Sequence, residues 1–212
     1  MRLDDIGKKY GTGKSSEFHD FLRYYEVALA GKQIKSVLEI GIGAAAQSLR
    51  MWSEFYPHAN IYGFDINPQF LINEGNIRSF LCDQSNIEGV RRIIQDNGIN
   101  PDVFVDDGPH IWSFQISTYK AIWSLLKSGA IYIVEDLHTS CIWPQCWKDQ
   151  EERPLDFFFA LKHFAIIKTN WDKLTNDEIS ALNTNKSINY LPLNDNHADD
   201  LRKVGIVGIG IK

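Results

Sequence analysis

Residues 37–46 read Val37-Leu38-Glu39-Ile40-Gly41-Ile42-Gly43-Ala44-Ala45-Ala46. An apolar run broken once by Glu39 passes into two glycines and three alanines, the pattern of a buried strand turning sharply into a helix. The glycines permit backbone conformations closed to other residues and let the chain approach a ligand closely. Ala46 stands where a small residue allows the helix to pack on the strand. Glu39 is costly in such a strand without a partner, and a ligand ammonium is the expected one.

Four more apolar runs follow, each ending on an acidic residue: 61–65, 78–83, 103–107 and 131–136. Helical periodicity occupies 44–56, 86–97 and 112–127; the last has Ile116, Tyr119, Trp123 and Leu126 on one face and Gly129 as its stop. Strands alternating with helices, and rich in β-branched residues, predict an α/β domain with a mostly parallel, doubly wound sheet and helices on both faces. Ahead of it, Ser15 or Ser16 is the expected N-cap of a helix with Phe18, Phe21, Leu22, Tyr25 and Leu29 on one face, making residues 1–30 an N-terminal helical cap. Residues 34–136 form the core. The stretch 137–212 is expected to add a helix near 155–164, a polar loop-rich segment over 170–200 and a last strand over 204–211. The connection from 66 to 77 carries no clear pattern.

The 212 residues suit a single domain, and the hydrophobic content of 44% with 23% charged residues is that of a globular protein. No segment reaches the roughly 18 uninterrupted apolar residues of a membrane helix. Lys plus Arg number 22 against 27 Asp plus Glu, a net charge of −5 with no basic run to follow a phosphate backbone, so neither nucleic acid nor membrane is an expected partner. Without an apolar leader, and with three widely spaced cysteines (Cys82, Cys141, Cys146), the expectation is a reduced cytoplasmic protein.

The acidic excess concentrates at the strand ends. In an open parallel sheet, ligands bind beyond the carboxyl ends of the strands, and there lie Glu39, Asp65, Asp83, Asp106, Asp107, Glu135 and Asp136. One such residue has an ordinary explanation as a turn cap; the whole row points to a site. The glycine turn alone suits NAD, FAD and S-adenosylmethionine alike. Asp65, 22 residues beyond Gly43, suits a ribose diol, and Asp83-Gln84 suits a base edge. Together with Glu39 for an ammonium, the set describes S-adenosylmethionine better than NAD.

A second constellation is Asp106-Asp107-Gly108-Pro109-His110 with Glu135-Asp136-Leu137. Their strands are expected to be neighbours about 4.8 Å apart. Carboxylates converging there need a counter-cation, and oxygen ligands favour Mg²⁺, with Mn²⁺ or Ca²⁺ as substitutes. His110, as an imidazole, is suited to take a proton from a hydroxyl at neutral pH. Trp112, Trp143 and Trp147 flank this region as possible sugar-facing rings or core residues; Cys141 and Cys146 lack the companions of a zinc site.

At these residues the chain resembles the metal-dependent class I O-methyltransferases that act on sugar hydroxyls, the mycinamicin and macrocin type and related polysaccharide enzymes. The resemblance covers roughly residues 5–140. It rests on Tyr10-Gly11-Thr12-x-Lys14 before a helix bearing His19, on Glu-x-Gly-x-Gly at 39–43, and on the Asp-Asp-Gly-x-His and Glu-Asp-Leu blocks, in which Glu135 follows Asp107 by 28 residues. It departs from the family at Gly13 and Pro109. The resemblance implies a Rossmann-like class I methyltransferase fold and S-adenosylmethionine as cofactor. Asp107, Glu135 and Asp136 would be Mg²⁺ ligands and His110 the general base. Glu39, Gly41, Asp65 and Asp83 would be cofactor contacts, and Tyr10, Thr12 and Lys14 a lid over the methionine end. A sugar or polyol acceptor and a homodimer are further expectations. Rival readings are a catechol-type metal-dependent methyltransferase, a nicotinamide oxidoreductase and a non-catalytic S-adenosylmethionine-binding protein.

Overall fold

The computed structural model describes residues 1–137, Thr139, 154–169 and 205–212. Its centre is an eight-stranded sheet formed by β1 (Ser36–Ile40), β2 (Asn60–Asp65), β3 (Asn73–Glu74), β4 (Ile77–Leu81), β5 (Val103–Asp106), β6 (Ile131–Val134), β7 (Phe164–Thr169) and β8 (Gly205–Ile211). The spatial order is β3-β4-β2-β1-β5-β6-β8-β7. The five strands anticipated between residues 37 and 136 pair in parallel, and the last strand anticipated over 204–211 is β8, antiparallel to β6. Strand order reverses between β1 and β5, the place where a ligand crevice opens.

Strand alternation sorts the core into two layers. Val37, Ile61, Val103, Val105, Ile131 and Ile133 face one cluster with Leu22, Leu49 and Trp52, under α1 (Leu3–Tyr10), α2 (Leu22–Leu29) and α3 (Gln47–Phe55). Leu38, Phe64, Phe104, Tyr132 and Val134 face the other with Val90, Tyr119 and Phe158, under α4 (Ile87–Asp96), α5 (Trp112–Ile122) and α6 (Pro154–Ala160). Both faces of the sheet are covered, as apolar parallel strands require.

Several boundaries differ from the sequence reading. The cap contains an unforeseen helix, α1, with Asp4 and Asp5 in its first turn, Lys8 and Lys9 in its last and Gly11 left-handed at its end. Residues 11–21 are turns, with Asp20 at a φ of 58°, so the second cap helix starts at Leu22 instead of Ser15 or Ser16. Of its anticipated face, Phe21, Leu22, Tyr25 and Leu29 are buried but Phe18 is exposed. The helix expected over 112–127 is α-helical to Ile122 and tightens to a 3₁₀ turn over Trp123–Leu125 before Gly129, at φ 82°. The patternless 66–77 connection holds a 3₁₀ turn over Pro68–Phe70 and the short hairpin strand β3. The helix near 155–164 is α6, followed by the unforeseen β7, whose Phe164 ring lies over Gly210 of β8. The 170–200 segment lies outside the described residues, as do Cys141, Trp143, Cys146 and Trp147. No helix among the described residues is long and apolar enough to cross a membrane.

Candidate active site

A cavity of about 660 Å³ opens at the carboxyl ends of β1, β2, β4, β5 and β6 and is roofed by Thr12, Gly13, Lys14 and His19 of the cap. On its β1–β2 side the glycine turn is held by Asp65. One carboxylate oxygen accepts the N–H groups of Ile42 (2.9 Å) and Gly43 (3.3 Å), and the other accepts that of Asn67 (2.8 Å). Gly41, at φ 94°, is required by the fold itself, because a Cβ there would meet the Asp107 backbone oxygen at 1.9 Å. Gly43, at φ 68°, has open space around it. Beyond β4, Asp83 accepts hydrogen bonds from the N–H and hydroxyl of Ser85, and Gln84 donates its amide to Asp106 (2.8 Å) and Thr118 (3.0 Å).

The direction of each acidic side chain follows from strand alternation. Glu39 shares the face of Val37, turns beneath α3 and accepts from Ser48 Oγ (2.6 Å) and Trp52 Nε1 (2.8 Å). Its cationic partner is Lys14 Nζ, 3.4 Å away, supplied by the chain itself. Lys14 also contacts Asp107 and, at 2.8 Å, Glu135, whose Oε1 accepts the Tyr25 hydroxyl. Asp106 shares the opposite face with Phe104, fully buried, accepting from Gln84 and from Tyr132 (3.3 Å).

Burial pushes the Lys14 ammonium down, but the carboxylates of Asp107, Glu135 and Glu39 outweigh it and hold the group well above its usual range. Glu39 and Glu135 are pushed up by burial and by the Asp107 charge, against the pull of Lys14. Burial lifts the Asp106 carboxyl to about 7 despite its hydrogen bonds.

Asp107, His110 and Asp136 each place one ligand atom within 4.8 Å of the others, and His110 Nε2 lies 3.1 Å from Asp136 Oδ2. His110 and Asp136 sit at φ 56° and 55°. Such left-handed geometry in non-glycine residues costs on the order of 1–2 kcal/mol each and concentrates at functional sites. The Asp107 and Asp136 carboxylates on the cavity edge are oxygen donors that fit a divalent cation, with the His110 imidazole beside them.

Of the residues singled out from the sequence, Thr12, Lys14, Gly41, Gly43, Asp65, Asp83, Gln84, Asp107, Glu135 and Asp136 line the cavity. His110 sits between the lining residues Pro109 and Ile111. Three stand elsewhere. Tyr10 donates to Glu54 (2.8 Å) in a separate surface recess, Glu39 lies under α3, and Asp106 lies behind the cavity wall. The sequence reading assigned no role to the wall residues His19, Gln47, Ser48 and Phe114. For Ser48, the available signal was its place with Trp52, one turn later on α3, facing Glu39.

A mostly parallel sheet in this order, with a cavity at its switch point, defines a class I methyltransferase fold. No protein-family model matches the chain. Among curated proteins it is similar to Mycinamicin VI 2''-O-methyltransferase of Micromonospora griseorubida, 32% identical over 151 residues, which are 67% of this chain and 37% of that protein. It is also similar to Demethylmacrocin O-methyltransferase of Streptomyces fradiae, 28% identical over 185 residues, 84% of this chain and 45% of that protein. The structure of the MycE methyltransferase from the mycinamycin biosynthetic pathway, in complex with Mg and SAH, superposes with a TM-score of 0.63 at 30% identity, covering 69% of this chain and 42% of that one. The chain is thus a homologue of the sugar O-methyltransferases of macrolide and tetracenomycin pathways. It spans less than half the length of the curated relatives it matches.

Proposed function

We propose that the protein transfers a methyl group from S-adenosylmethionine to a hydroxyl of a sugar, glycoside or other polyol, with the help of Mg²⁺. The observation that carries this reading is the Asp107, His110 and Asp136 cluster at a switch-point cavity, in a homologue of sugar O-methyltransferases. Asp107 and Asp136 would hold the cation, with Glu135 adjoining them through Lys14. When bound, the cation makes an acceptor hydroxyl more acidic and the cofactor's sulfonium supplies the methyl group.

His110 accepts the hydroxyl proton, and the Asp136 carboxylate, 3.1 Å from its Nε2, stabilises the imidazolium. Asp65, Asp83 and Gln84 orient the nucleoside, and the 12–19 segment closes over the reacting groups to exclude water. The reading extends to one domain over 1–212, with 137–212 shaping the acceptor side, and to a cytoplasmic homodimer that engages neither nucleic acid nor membrane.

The test is a mass-spectrometric assay with S-adenosylmethionine over a panel of glycosides, polyols and catechols, with Mg²⁺ or with EDTA. A gain of one methyl on a glycoside or polyol that requires Mg²⁺ and is lost in Asp107→Ala supports it. Transfer that EDTA leaves untouched, or transfer confined to catechols, overturns it.

A further inference from the structure

His110 Nε2 and Asp136 Oδ2 meet at 3.1 Å, although each residue holds a left-handed backbone and the two stand on different loops, one after β5 and one after β6. Such conformations persist only where the surrounding structure fixes them. Gln115, in the first turn of α5, reaches the neighbours of both. Its backbone N–H makes the helical bond to the carbonyl of Ile111, the residue after His110 (3.1 Å), and its side-chain Nε2 donates to the carbonyl of Glu135, the residue before Asp136 (2.9 Å). The carbonyl of Asp136 itself accepts from the N–H (3.0 Å) and Oγ1 (2.8 Å) of Thr139. Both peptide units flanking the Asp136 Cα are thus pinned, and the Gln115 bond is the one that ties them to the helix following His110.

The chemistry of Gln115 singles it out further. The side chain is buried, and its Oε1 has no hydrogen-bond partner among the described residues. Burying an amide with one end unmet is costly, and an aliphatic side chain would pack a helix on a sheet without that cost. What the amide supplies in return is the bond to the Glu135 carbonyl. Gln115 is not part of the cavity lining, so it acts through the residues it holds.

Resting on the cation reading above, we propose that Gln115 is a positioning residue: by tying the first turn of α5 to the chain just beyond β6, it sets the separation of Asp107 and Asp136 that a divalent cation requires.

Calorimetric titration with Mn²⁺ and, without cation, with SAH tests the proposal, with urea unfolding alongside. Gln115→Met keeps the length of the side chain but has no donor. It is expected to weaken Mn²⁺ by about tenfold, the loss of one hydrogen bond at the site's frame, and to leave SAH within about twofold. The urea midpoint is expected to change little, because the unmet acceptor is removed together with the donor. Gln115→Asn, whose amide stops one methylene short of the Glu135 carbonyl, is also expected to weaken Mn²⁺ and serves as the test should the methionine variant fail to fold. Unchanged Mn²⁺ affinity in the variants, or equal weakening of Mn²⁺ and SAH, overturns the role of Gln115. Failure of the unsubstituted protein to bind Mn²⁺ would instead overturn the cation reading on which it rests.

Discussion

The ammonium of Lys14, in the turn segment after α1, lies 2.8 Å from a carboxylate oxygen of Glu135 at the end of β6, and both side chains are almost wholly buried. The same ammonium reaches Glu39 and Asp107, so a single residue of the cap ties together the ends of three strands. The pairing sets Asp107, the proposed cation ligand, and the wall of the cavity in one charge network.

Lys14→Met leaves these carboxylates without a counter-charge, the situation in which breaking one partner of a buried pair costs roughly 3–5 kcal/mol. Urea unfolding is expected to show a loss of that order. The double variant Lys14→Met with Glu135→Gln is expected to regain part of it, since one of the stranded charges is removed. Additive losses would show that Lys14 and Glu135 are not energetically coupled.

Gly41 and Gly43 separate backbone conformation from space. Both have positive φ, but a Cβ at Gly41 would sit 1.9 Å from the Asp107 carbonyl oxygen while one at Gly43 meets nothing within 4 Å. Gly43→Ala is expected to cost about 1–2 kcal/mol, the left-handed penalty alone. Gly41→Ala must cost more and displace the Asp107 loop, so it is also expected to weaken Mn²⁺ binding measured by calorimetry. Equal stabilities for the two variants would contradict the close approach.

Asp65→Ala removes the acceptor of three backbone N–H groups, those of Ile42, Gly43 and Asn67. Leaving such donors unmet costs on the order of 1–3 kcal/mol, and SAH affinity is expected to fall by about tenfold or more as the turn loosens. An Asp65→Ala protein with unchanged affinity would mean that the turn stands without it.

His163 accepts or donates a 2.7 Å hydrogen bond with the Tyr119 hydroxyl and stacks on Trp123 at 4.5 Å. Burial, and then the charge of Lys212, lowers its pKa below the ordinary 6.5. The unfolded chain therefore binds more protons in this window, so the contribution is present above pH 6.5 and lost as pH falls through the folded value. Urea midpoints at pH 7.5 and pH 5.5 are expected to differ more for the unsubstituted protein than for His163→Phe. The same pH dependence in both would remove His163 as the cause.

Much of this protein follows from sequence alone. The parallel core is legible because both faces of its strands are buried and each run ends on a carboxylate. The Asp107 and Glu135 blocks are legible because strand-end residues stay at strand ends whatever packs around them. Tertiary structure decided where each carboxylate points. Strand alternation turns Glu39 under α3 and Asp106 into the opposite core layer, while the left-handed turn at Asp136 brings its carboxylate beside His110. Tertiary structure also chose Lys14 over a ligand as the partner of Glu39. No local pattern encodes that choice, because a residue in an irregular turn segment meets the ends of β1, β5 and β6 only once the cap has docked on the sheet.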